Sequence, residues 1–276
     1  MICNTTCKFI YLHVPKTAGL AMAYVLVHEF EDCLENKIIL GREDGSPGGD
    51  ALAGTCQQVA ALRDTHCSFS EIEQELPCIR DLFSFAFVRN PWDRLFSLYH
   101  FLVHAAQDRV DGTRANQSRQ IPPEDDRRTV ETLTRLGFHQ WVMCVENDAP
   151  VLRQMQPQVT QASLLKNADG KIGVNFVGAY ETLPEDWQAI LDHRRMPPRG
   201  ITGLPGGNRT RKPTPWWVGY DEATFNHVKR HHQEDIELFD YEMTFSDLAR
   251  MPCDFPKPTF SREFRLIGIK EEAPGG

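Results

Sequence analysis

Residues 8–19 read KFIYLHVPKTAG. Lys8–Val14 is short, almost wholly apolar and ended by Pro15, which is the pattern of a buried strand. The segment 18–30, AGLAMAYVLVHEF, has the alanine and long apolar residues of a helix packed on a sheet. Between them lie Lys16, Thr17 and Gly19. Strand, short turn with a cation and a hydroxyl, glycine, helix is the layout of an anion-binding loop, because the first N–H groups of a helix have no intrahelical acceptor. It is not the nucleoside-triphosphate version, G-x-x-x-x-G-K-[ST], since no glycine precedes Lys16.

The design occurs twice. FSFAFV, residues 83–88, is a second buried strand, and it empties into RNPWDRLFS. Pro91 fits a first helical position, where its missing N–H costs nothing. Helical spacing then runs over 92–106, with Leu95, Leu98, Phe101 and Leu102 on one face. Arg89 and Ser97 offer a guanidinium fork and a hydroxyl, a pair suited to a terminal phosphate. Arg89 has an alternative partner in Asp93, and Asp93 with Arg94 is the pattern of a solvated helix face. In an open α/β sheet, ligands sit beyond the carboxyl ends of the strands. Two such turns side by side would hold two anionic groups of one ligand.

Composition narrows the classes. The 276 residues carry 30 basic and 38 acidic side chains, a formal net charge of −8, which argues against a general nucleic-acid binder. No stretch approaches the ~18 apolar residues of a membrane span. The opening MICNTTCKFIYLHV has no basic n-region, so we expect no secretory leader. Eight scattered cysteines without a C-x-x-C suit thiols in a reducing compartment, and the expected location is cytoplasmic.

Elsewhere the pattern predicts helices over 69–77, 129–146, 186–195 and 221–241, a third strand at 174–179, and loops at 41–50 and 197–217. Residues 107–128 read as a long polar excursion. Strands alternating with helices predict an α/β fold, a parallel sheet covered on both faces, in one domain. The expected single domain is 1–276, with a core at about 8–245 and a C-terminal extension at 246–276.

Together, HVPKTAG, FAFVRNPWDRLFSLYHF, QPQVTQASLLKNADGKIGVNFVGAYETLPEDW and HHQEDIELFDYEM resemble the 3'-phosphoadenosine-5'-phosphosulfate (PAPS)-dependent sulfotransferases of the carbohydrate type, sulfotransferase family 2-like. The resemblance implies a P-loop-like three-layer fold with a central, mainly parallel sheet flanked by helices. It places Pro15, Lys16, Thr17, Ala18, Gly19 and Leu20 in the 5'-phosphosulfate loop, with backbone N–H groups from Thr17, Ala18 and Gly19 and the Thr17 hydroxyl on the donor. Arg89 and Ser97 would bind the 3'-phosphate, and Arg211, in the basic loop NRTRKP, is a further contact to it. Lys16 and His66 would be the catalytic residues, one neutralising the leaving phosphate and the other acting as general base. The implied sulfuryl donor is PAPS, no metal is expected, and the acceptor would be a small molecule or glycan hydroxyl.

The match departs from the family at two places. Leu20 and Ala21 stand where hydroxyls usually follow the loop, and Ala179 stands for the arginine of a later motif. A catalytically silent domain that binds PAPS or its product is therefore the alternative function. A kinase is disfavoured, because no metal-binding aspartate follows either strand. Three smaller features read as ordinary structure: His13 as a strand-end residue, Trp216 and Trp217 as core, and the pairs His100/His104 and His227/His231 as helix surface.

Overall fold

Five strands form one sheet in the order β3-β1-β2-β4-β5. They are β1 (Ile2–Asn4), β2 (Phe9–Leu12), β3 (Lys37–Ile39), β4 (Phe83–Val88) and β5 (Phe176–Ala179). The computed structural model describes residues 2–4, 8–28, 37–39, 66–75, 77–111, 126–144, 155–196 and 214–249.

β2, β4 and β5 are parallel, with Leu12 opposite Ala86 and Val88 opposite Ala179. β1 and β3 add antiparallel on the β2 side. The sheet is therefore mixed: a parallel centre of three strands with an antiparallel edge. Sequence reading missed the edge because three-residue strands carry no usable period.

Alternation along the strands sends two kinds of side chain to the two faces. Phe9, Tyr11, Phe83, Phe85, Phe87 and Phe176 pack with α1 (Gly19–His28) and α6 (Leu183–His193). Ile10, Leu12, Ala86 and Val88 face the larger core, built with α3 (Pro91–Val110), α4 (Asp126–Met143) and α7 (Glu222–His231). Each fully buried aliphatic or phenyl side chain contributes roughly 1.5–3 kcal/mol. The result is helices on both faces of the sheet.

Several boundaries differ from expectation. The helix after β4 runs on to Val110, where Gln107 Nε2 donates to Asp111 Oδ1 at 2.9 Å, and α4 begins at Asp126. The supposed excursion at 107–128 is thus helical at both ends, and its middle lies outside the described residues. α4 is interrupted at Gly137, whose φ of 67° and ψ of 172° no helix contains. The helix expected over 221–241 is two, α7 and α8 (Gln233–Leu238), broken at His232. Short helices α2 (Phe69–Glu75), α5 (Gln161–Leu165) and α9 (Phe245–Ala249), with 3-10 helices at Pro77–Asp81 and Trp216–Gly219, complete the described chain. The loop at 41–50 lies outside the described residues.

Candidate functional site

Both predicted turns lie at the carboxyl ends of neighbouring parallel strands, β2 and β4. They hold their backbone N–H groups differently. In the first turn, Lys16 and Ala18 are left-handed (φ 69° and 71°), conformations that cost a non-glycine residue roughly 1–2 kcal/mol. Left-handed residues on either side of Thr17 are the kind of backbone that forms anion-binding concavities. Among the described residues, no hydrogen bond is made by the N–H groups of Thr17, Ala18 or Gly19. They stand at the positive end of the ten-residue α1. The Thr17 hydroxyl does not join them: it is buried and donates to the Val14 carbonyl at 2.8 Å. That bond staples the turn to the strand end.

The second turn keeps its N–H groups for itself. Arg89 N donates to Gln161 Oε1 (2.9 Å) and Asn90 N to Glu181 Oε1 (2.8 Å). Pro91 has none, and the N–H groups of Trp92 and Asp93 both go to Asn90 Oδ1 (3.0 and 3.2 Å). Asn90 is thus the N-cap of α3. An anion here would meet side chains rather than a helix end.

Those side chains are Arg89 and Ser97, both buried. Arg89 Nε and Nη2 donate to Asp93 Oδ2 (2.9 and 2.6 Å), and Nη1 donates to the Lys16 carbonyl at 3.0 Å. These use three of a guanidinium's five N–H donors, leaving two. Tyr180 lies flat beneath, 4.1 Å from the guanidinium carbon. Burial alone would favour the neutral form of Arg89, but Asp93, Tyr180 and Glu181 outweigh it and raise its pKa further. Asp93 and Arg94 are 1 % and 0 % exposed, so the solvated-face expectation is wrong for both. Arg94 instead reaches the Val159 carbonyl from inside the core.

Asp93, Ser97 and Phe101 recur every four residues and form one row on α3. Asp93 holds Arg89 at one end. The Lys16 ammonium sits 4.0 Å above the Phe101 ring at the other. Ser97 stands on α3 between the residue that holds Arg89 and the residue that carries Lys16.

His66 is buried, and its Nδ1 lies 3.1 Å from the His13 carbonyl oxygen. Donation from Nδ1–H leaves the lone pair on Nε2, the form a general base requires. The two imidazoles are 4.5 Å apart. His13 in turn lies on Gly19: a Cβ there would fall 1.6 Å from His13 Nε2, so only glycine allows this packing. Burial first, then the charges of His66 and Lys16, hold the His13 pKa well below the usual histidine range. His13 is therefore more than a strand end satisfied by backbone.

Pro15 completes the first turn, buried at its start, and Leu20 lies in the first turn of α1, its side chain outside the described set. Arg211 lies outside the described residues. Trp216 and Trp217 are core. The rings of His100 and His104 are 6.2 Å apart and those of His227 and His231 4.1 Å apart. No group of three or more His, Cys, Asp or Glu suited to a metal occurs among the described residues. Gln161, Tyr180 and Glu181 were not singled out from sequence. They lie in QPQVTQ and GAYETL, but nothing in those strings says that they touch the turn after β4.

A model of the family described as "Sulfotransferase family" matches residues 1–242, most of the chain. No curated protein and no solved structure matches. Among the described residues, no helix is long and apolar enough to cross a membrane.

Proposed function

Starting from the fact that this chain belongs to the sulfotransferase family, we propose that it moves a sulfuryl group from PAPS to an acceptor hydroxyl of a carbohydrate or other polar small molecule. The observation that carries this reading is the hydrogen bond from Arg89 to the Lys16 carbonyl, which joins the two anion-holding turns into one site. The chemistry of the two turns fits the two ends of the donor. The first offers unbonded N–H groups, a helix end and an ammonium, which suits a phosphosulfate. The second offers a buried fork with two donors to spare and a hydroxyl, which suits a phosphate monoester.

PAPS supplies an activated sulfuryl group with a phosphate leaving group. In this reading His66 takes the acceptor proton as the new O–S bond forms in line with the bond that breaks. Lys16 and the N–H groups of Thr17, Ala18 and Gly19 offset charge growing on the leaving phosphate. Arg89 and Ser97 hold the 3'-phosphate, and with it the donor's register, and Arg211 is a further contact to that phosphate. The chain acts as one domain, with a core at about 8–245 and an extension at 246–276. Its place in this reading is the cytoplasm, which suits eight scattered cysteines without a C-x-x-C.

A second reading, a silent nucleotide-binding domain, is favoured by the inward bond of the Thr17 hydroxyl together with the apolar Leu20 and Ala21. Two measurements separate the readings. Titration should give tight 3',5'-ADP binding and weak ATP–Mg²⁺ binding; a preference for ATP would sink both. Transfer of ³⁵S from PAPS to a panel of sugars, lipids and phenols should then be detectable and lost in Lys16→Ala. Binding without transfer to any of them favours the silent domain.

A further inference from the structure

The backbone of Arg89 is held from an unexpected direction. β4 has β2 beside it only as far as Ala86, opposite Leu12. Three residues later, Gln161 takes the place of a strand. Its side-chain amide accepts from Arg89 N through Oε1 at 2.9 Å and donates to Arg89 O through Nε2 at 2.8 Å. Gln161 is 0 % exposed and is itself anchored. Its backbone N–H donates to Asp235 Oδ2 at 2.8 Å, and Ala162 N donates to Asp235 Oδ1 at 2.7 Å. His232, at the break between α7 and α8, reaches Asp235 Oδ2 (3.5 Å) and the Pro157 carbonyl (2.9 Å) with its two ring nitrogens. A buried polar chain therefore runs from His232 through Asp235 and Gln161 to the residue that carries the guanidinium.

We propose that Gln161 is a positioning residue for the 3'-phosphate side of the site. Its amide, braced by Asp235 and His232, sets the depth and direction at which Arg89 leaves the strand. Side-chain contacts alone would not do this. Asp93 and Tyr180 orient the guanidinium, but both lie on segments that follow the two strand ends. Gln161 arrives from a separate helix and bonds the main chain at both its polar atoms. This inference rests on the reading of Arg89 as the 3'-phosphate ligand.

The test is the ratio of affinities for 3',5'-ADP and 5'-AMP, which isolates the 3'-phosphate. Gln161→Met keeps length and removes both bonds; it should lower the ratio about tenfold while leaving 5'-AMP binding unchanged. Gln161→Glu keeps the acceptor for Arg89 N but turns an oxygen on the Arg89 carbonyl, and should lower the ratio too. It serves if the Met variant does not fold. A purely structural role would lower the melting temperature and both affinities together, with the ratio unmoved; that result in a folded variant overturns the proposal. Arg89→Ala distinguishes the two levels. If it leaves the ratio unchanged, the assignment of Arg89 itself fails; if it collapses the ratio and the folded Gln161 variants do not, only the role of Gln161 fails.

Discussion

Arg89 donates to the main-chain carbonyl of Lys16 across 3.0 Å, 73 residues back along the chain. The bond spans the ends of two adjacent parallel strands and ties together two strand-turn-helix elements. Lys16, whose carbonyl takes this bond, has a left-handed φ of 69°. A strained residue held by a tertiary bond is a common feature of ligand sites.

The Arg89–Asp93 pair should matter for stability as well as binding. Arg89→Ala removes the guanidinium from the buried Asp93 carboxylate, and breaking such a buried pair costs about 3–5 kcal/mol. Adding Asp93→Asn should recover a large part of that loss without restoring 3',5'-ADP binding. Urea denaturation of the two single variants and the double variant checks this; additive losses would show that the pair is not coupled.

Gly19→Ala should weaken 3',5'-ADP binding about tenfold, an effect of roughly 1.4 kcal/mol. The new methyl falls 1.6 Å from His13 Nε2, so either the ring or the turn must move. The double variant Gly19→Ala with His13→Ala makes room and should recover most of the binding. No recovery in calorimetric titration would mean that the methyl acts on the ligand instead of on His13.

His66→Asn should cut transfer about 10²–10⁴-fold, the usual contribution of a positioned base. Binding of 3',5'-ADP should be nearly unchanged, because His66 contacts the His13 carbonyl rather than the turn's N–H groups. Single-turnover ³⁵S transfer and titration report the two quantities separately. Transfer at the normal rate in this variant would rule out His66 as the base.

Asp235 should contribute an acid-sensitive part of the stability. Burial pushes its pKa up, but the bond to His232, the charges of His232 and Arg94 and the Ala162 N–H outweigh burial and leave it below the ordinary carboxylate range. A carboxylate with a depressed folded pKa stabilises the native state above its unfolded pKa of about 3.9, and that contribution is lost as pH falls through the folded value. The wild type should therefore lose stability below about pH 4 more steeply than Asp235→Asn. Equal slopes in melting temperature against pH would falsify this role.

Much of the candidate site was legible in linear order. KFIYLHVPKTAG and FSFAFVRNP each hold a strand, a turn and a helix start within about a dozen residues, and local rules suffice to read them. Arg89 stands in the turn just before α3, and Ser97 one turn beyond Asp93 inside it. What the string could not reveal was contact at long range. Gln161 lies 72 residues from Arg89, and Tyr180 comes just after β5. Glutamine and tyrosine in themselves mark no site, and only sheet packing brings them to this turn. The strands β1 and β3 escaped notice for the opposite reason, being too short to show any pattern.

The alternation of strands and helices, the two cationic turns and the family can all be read along the string of residues. Those follow from propensity, period and short motifs, all of which act within a few residues. How the two turns differ is set by packing. Among the described residues, the first makes no hydrogen bond through the N–H groups of Thr17, Ala18 and Gly19, where left-handed residues flank Thr17. The second spends every N–H it has on Gln161, Glu181 and Asn90. Which donors stay unbonded depends on what packs against them, and that is a property of the folded chain.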